Sequence, residues 1–105
     1  MRASYILAPQ AAVDLVEIWR YITEQSSVTL ADRIESEILD RFALLARTPN
    51  GGHVRGDLTN ERVRFFPVYS YLIVYRVKSE KLFVCRVIHG ARNLRRIFRR
   101  WRPKR

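Results

Sequence analysis

Apolar residues in this chain recur first at helical and then at strand spacing, and the change falls at a glycine-rich break. Tyr5-Ile6-Leu7 reads as a brief first strand that stops at Pro9. From Pro9, Ala11, Leu15, Ile18, Trp19 and Ile22 follow at steps of three and four, while Asp14, Glu17 and Glu24 fall mainly off that stripe. This spacing predicts an amphipathic helix with its polar residues in water. Pro9 suits the first helical position, whereas Ala8 brings no capping oxygen. A second stripe runs through Ala31, Ile34, Ile38, Phe42 and Leu45, with Glu37 and Arg41 placed for an i,i+4 pair on the wet side. The short connection through Gln25-Ser26-Ser27 favours an antiparallel helix hairpin with the two stripes facing a common core.

Thr48-Pro49-Asn50-Gly51-Gly52 ends the second helix, and the period then falls to two. Residues 61–68, 71–77 and 82–88 are rich in aromatic and β-branched side chains, separated by Tyr69-Ser70 and Lys78-Ser79-Glu80-Lys81. They predict an antiparallel meander. A sheet with the helix hairpin on one face is a two-layer α+β domain, and no linker or repeat divides residues 1–105. After His89-Gly90-Ala91, the residues Leu94, Ile97, Phe98 and Trp101 mark a short amphipathic helix that Asn93 is placed to cap. Arg95, Arg96, Arg99 and Arg100 lie on its other side, and residues 102–105 form a frayed end.

Charge sharpens this picture. Residues 1–50 carry five basic and seven acidic side chains, but residues 51–105 carry fifteen basic and three acidic ones. The basic field of the second half draws acidic proteins and nucleic acid alike. No apolar run reaches the ~18 residues of a membrane span, and the start is too short for a secretory signal, so a cytoplasmic protein is expected. The single cysteine, Cys85, excludes an internal disulfide and reads as a small core residue. His53 and His89 have no second ligand at metal spacing, and neither a metal nor a cofactor is expected.

Several segments resemble the RelE/ParE toxin superfamily, and the ParE branch most closely. They are Leu7-Ala8-Pro9-Gln10-Ala11-Ala12, Leu15-x-x-Ile18-Trp19-x-Tyr21-Ile22, Ala31-Asp32-Arg33-Ile34, Val63-Arg64-x-Phe66-Pro67-Val68, Tyr71 to Val77, and Arg86-Val87-Ile88-His89-Gly90-Ala91-Arg92. Their order within one short chain is more specific than any one of them. Ala8 departs from the serine or threonine usual before that proline.

The resemblance implies a toxin of a type II toxin–antitoxin module that traps DNA gyrase on cleaved DNA and is neutralised by a ParD-like antitoxin. The alternative on the same fold is a ribosome-dependent messenger RNA endonuclease of the RelE branch. That chemistry needs a base, a cation and an acid around the phosphate. Leu72 stands where that branch's arginine would fall, and Phe98 lies close to the place of its tyrosine. Arg92 alone is retained, which favours binding over catalysis. Arg62 and Arg64, expected on one face of a strand, are candidate phosphate holders, with a solvated strand face as the plainer reading. A general nucleic-acid-binding tail is a third reading, since eight basic and no acidic residues lie between Arg92 and Arg105. The expected target-binding residues are Arg92, Arg95, Arg96, Arg99 and Arg100. The expected antitoxin anchors are Trp19, Tyr75, Leu94, Ile97, Phe98 and Trp101, with Tyr21 and Phe65 as further aromatic candidates.

Overall fold

A computed structural model describes residues 4–103, so Lys104 and Arg105 of the expected frayed end lie outside the described residues. The element order is β1 (Tyr5–Leu7), α1 (Pro9–Gln25), α2 (Val28–Arg47), a 3₁₀ turn at Pro49–Gly51, β2 (Arg64–Val68), β3 (Tyr71–Lys78), β4 (Lys81–His89) and α3 (Leu94–Phe98). Pro9 occupies the first turn of α1 and Ala8 makes no side-chain cap. Ser27 caps α2 by accepting from the Leu30 amide at 3.0 Å. Only Ser26 and Ser27 separate the helices, which therefore double back on each other as expected.

The strand order is β1-β4-β3-β2. The three-strand meander is antiparallel, whereas β1 joins the far side of β4 in parallel, so the sheet is mixed. A parallel pair needs a long crossover. The helix hairpin supplies part of it, and its apolar face packs on the sheet through Ala11, Leu15, Ile38, Phe42 and Leu45 against Tyr71, Ile73, Tyr75, Val84 and Val87. Each fully buried Val, Leu, Ile or Phe among these contributes about 1.5–3 kcal/mol relative to exposure.

The strict alternation expected of β4 is interrupted. Val74 pairs with Arg86 but Tyr75 pairs with Val84, so Cys85 is an extra residue in a β-bulge. The bulge lets Val84 and Val87, three positions apart, both face the helices, while Cys85 and Ile88 face the other way. That second face is also covered. Leu58, Val63, Phe65, Val74, Cys85, Ile88 and Phe98 form a separate apolar cluster beneath α3 and the loop before β2.

β2 begins at Arg64, three residues later than the alternation predicts. Residues 60–62 form a bend, around which Thr59 accepts from the Glu61 amide at 3.1 Å and the Val63 amide donates to the Glu61 carbonyl at 2.9 Å. Arg62 is therefore not on a strand. The outer edge of β2 is blunted by His53, which exchanges two 2.8 Å backbone hydrogen bonds with Phe65, and by Pro67, which has no amide hydrogen to offer. Glu37 does not form the expected ion pair; its carboxylate accepts from the Tyr69 hydroxyl, tying the β2–β3 turn to α2.

The β3–β4 turn holds Ser79 at φ 53° and Glu80 at φ 64°, a two-residue turn of the kind that asparagine-glycine fills without strain. Side chains in this left-handed region cost about 1–2 kcal/mol each. Ser79→Asn with Glu80→Gly is expected to stabilise the protein by roughly 1 kcal/mol, visible as a higher urea midpoint at constant slope. No gain would mean that the turn is already relaxed.

Candidate binding surface around the basic C-terminal helix

The turn into α3 is held by the last residue of β4. The Ala91 amide donates to His89 Nδ1 at 3.0 Å, the Arg92 amide donates to the His89 carbonyl at 3.1 Å, and the His89 ring meets Tyr71 edge-on. His89 is thus a structural tie. Asn93 then caps α3 by accepting from the Arg96 amide at 3.1 Å, as the sequence suggests. The helix is only five residues long, shorter than the stripe through Trp101 predicts. Its stability comes from docking, because so short a helix does not hold in water alone. Phe98 supplies that docking, with edge-on contacts to Phe65 and to Trp101, both at 5.3 Å between ring centroids.

Two acidic residues of the loop before β2 hold the basic segment. Arg95 reaches the Asp57 carbonyl at 3.3 Å and its carboxylate at 4.0 Å, and Arg102 pairs with Glu61 at 3.4 Å. Asp57 also takes a two-pronged contact from Arg55, at 2.9 and 2.8 Å. That hydrogen bonding lowers the Asp57 carboxyl to about 2, so the pair persists until pH falls through that value. Arg96, Arg99 and Arg100 are exposed, and no ion pair within 4.0 Å involves them or Arg92 among the described residues. The five arginines do not form one patch. Arg92 lies apart from the others, lining a cavity of about 370 Å³ with Ile18, Tyr21, Tyr71 and Val87 on the helix-hairpin side.

The apolar candidates divide likewise. Trp19, Leu94, Ile97 and Trp101 are half-buried, and the Trp19 indole donates to Asp32 at 2.7 Å across the helix hairpin. Tyr21 is exposed. Tyr75, Phe98 and Phe65 are interior in this structure and present no surface to a partner. Tyr75 closes the core: its hydroxyl donates to the Pro49 carbonyl at 2.7 Å and accepts from the Gly52 amide at 2.8 Å. Gly52 is required there, because a Cβ would sit 2.5 Å from that hydroxyl oxygen. Arg64 completes the corner by donating to the Gly52 carbonyl at 2.9 Å. It does not share a strand face with Arg62.

One buried charge pair escaped the sequence reading. Asp14, placed off the apolar stripe, is 5% exposed and accepts from Arg86 Nε at 2.8 Å, Arg86 Nη2 at 3.1 Å, the Val87 amide at 2.9 Å and Gln10 at 3.3 Å. The reason lies in the sheet. β1 pairs only with Leu82 to Val84, so the edge of β4 beyond it is open, and Asp14 satisfies the Val87 amide there. Cys85 is buried, and that burial pushes its thiol up to about 11, far from a nucleophile's range. Leu72 and Phe98, at the places resembling the endonuclease branch's arginine and tyrosine, pack in or against the same apolar cluster. Among the described residues no cluster of three His, Cys, Asp or Glu could hold a metal ion, and no helix is long and apolar enough to cross a membrane.

Residues 5–94 match the family model for the ParE toxin of the type II toxin–antitoxin system parDE. The chain belongs to the ParE toxin family. The match ends at Leu94, so Arg92 lies inside it and Arg95, Arg96, Arg99 and Arg100 lie beyond it. Toxin ParE3 of Caulobacter vibrioides is 30% identical over 81 residues, which cover 77% of this chain and 80% of that protein. The fold is matched too. A chain of the chromosomal ParDE TA system from P. aeruginosa superposes with a TM-score of 0.72 at 20% identity, covering 84% of this chain and 96% of that one.

Proposed function

We propose that this ParE-family chain is the toxin of a type II module, that it binds DNA gyrase and stabilises the enzyme's cleaved-DNA complex, and that a ParD-like antitoxin neutralises it in the cytoplasm. The family match over residues 5–94 carries this reading. A binding rather than catalytic mode is supported by the apolar packing of Leu72 and Phe98, which puts neither an anion-stabilising group nor a proton donor at those places. Arg96 is exposed on the docked α3 and Arg99 and Arg100 on the residues that follow it, and their planar forks suit carboxylates of the enzyme or phosphates of its DNA. Arg95 is exposed beside them, whereas Arg92 offers a separate contact on the α1 side. Trp19, Leu94, Ile97 and Trp101 are the apolar side chains this reading keeps for the antitoxin, while Tyr75 and Phe98 serve the interior.

The purified toxin is expected to lower supercoiling by gyrase and to accumulate cleaved plasmid, leaving ribosome-bound messenger RNA intact. Arg96→Ala with Arg100→Ala should weaken this by about tenfold or more, as the loss of charged hydrogen bonds implies, without changing the melting temperature. Messenger RNA cut in the ribosomal A site by a protein that leaves gyrase unaffected would replace this reading with the endonuclease one.

A further inference from the structure

A second basic surface lies at the end of the sheet, lined by residues other than those of α3. Two cavities of about 430 and 410 Å³ adjoin there, sharing Asn60, Glu61, Arg62, Arg76 and Val77 as walls. Arg64 lines the first and Lys78 the second, so four cations from the loop, β2 and β3 converge on one groove. The acid in its wall, Glu61, is already paired with Arg102.

The cations are held differently. Arg64 is fixed by its bond to the Gly52 carbonyl, and the Arg76 guanidinium lies 5.9 Å from the centre of the Phe83 ring. Arg62 and Lys78 are exposed and can adjust to a ligand. We propose that this groove seats the phosphodiester backbone of duplex DNA, a contact separate from α3. The choice of DNA rests on the gyrase reading above; the choice of backbone rests on the groove itself. Single strands are recognised by bases stacking on exposed aromatic rings. The one aromatic side chain in these walls is Tyr75, whose ring is buried and whose hydroxyl is engaged. A groove with four cations and no stacking platform reads phosphates, not bases. Pro103 lines the second cavity and Arg102 bonds Glu61 at its wall, so the chain leaving α3 runs into the groove and joins the two basic surfaces.

Fluorescence anisotropy of a labelled duplex with the full chain, titrated at several salt concentrations and without gyrase, tests this. Arg62→Glu with Lys78→Glu should weaken binding and make the dependence of log affinity on log salt shallower by about two, one per lost phosphate contact. Arg20→Glu with Arg33→Glu changes net charge equally on the exposed helix hairpin and should leave that slope close to wild type. The milder Arg62→Gln with Lys78→Gln should repeat the shallower slope without reversed charge. Equal effects from the groove and hairpin variants would overturn the proposal, as would tighter binding of single-stranded RNA of the same length. Gyrase inhibition is measured separately, so its failure beside an intact slope difference would reject the gyrase reading and leave the groove standing.

Discussion

Asp14→Ala is expected to destabilise the protein by about 3–5 kcal/mol, a loss comparable with the whole stability of a small domain. Removing one partner of a buried pair costs more than the pair itself is worth, because the other charge stays behind. Here Arg86 is only 15% exposed, and the Val87 amide loses its acceptor at the same time. Asp14→Asn separates the two losses. Its amide oxygen can still accept from Val87, so it should cost clearly less than alanine while losing the charge. Urea unfolding at constant slope measures both. Equal costs for the two substitutions would show that the Val87 hydrogen bond contributes nothing, and a cost below 1 kcal/mol for alanine would show that Arg86 escapes to water.

That pair also marks where the sequence stops being readable. The helix hairpin and three meander strands follow from local spacing, because a stripe at three and four or an alternation at two states which face is buried. Asp14 breaks the rule for a non-local reason. It is buried by Arg86, 72 residues away, and by an open strand edge that exists only because β1 is short. Neither fact leaves a mark near position 14. The parallel seat of β1 is hidden in the same way, since three residues carry no register information.

Tyr75 is a different case. Its aromatic character was visible, but its role depends on Pro49 and Gly52 folding back 26 and 23 residues away. Once the second glycine of the Gly51-Gly52 break is known to meet a ring, the tyrosine becomes a core brace and not an anchor. The C-terminal arginines are legible as a group, whereas the separate place of Arg92 is not. Arg92 precedes the helix cap, and the turn held by His89 leaves it on the α1 side. A binding surface read from composition alone therefore merges Arg92 with residues it does not accompany.

Phe98→Ala is expected to cost about 3–5 kcal/mol, the range for truncating a buried aromatic ring. The more informative consequence is local. Phe98 is 2% exposed and is the buried anchor of a helix with five residues, so its loss should release α3 before the rest of the fold opens. Cys85 reports that event, because it lies beneath α3 in the same cluster, 6% exposed, with its thiol pushed up to about 11 by burial. In the variant, alkylation of Cys85 under native conditions should rise by about 100-fold or more, since each 1.4 kcal/mol of easier opening is a factor of ten. The melting transition of the remaining sheet should stay cooperative. Gyrase inhibition should fall with it, because Arg95, Arg96, Arg99 and Arg100 lose the frame that fixes them. An unchanged Cys85 reaction rate would mean that α3 does not close the second face, and the placement of those arginines would then owe nothing to Phe98.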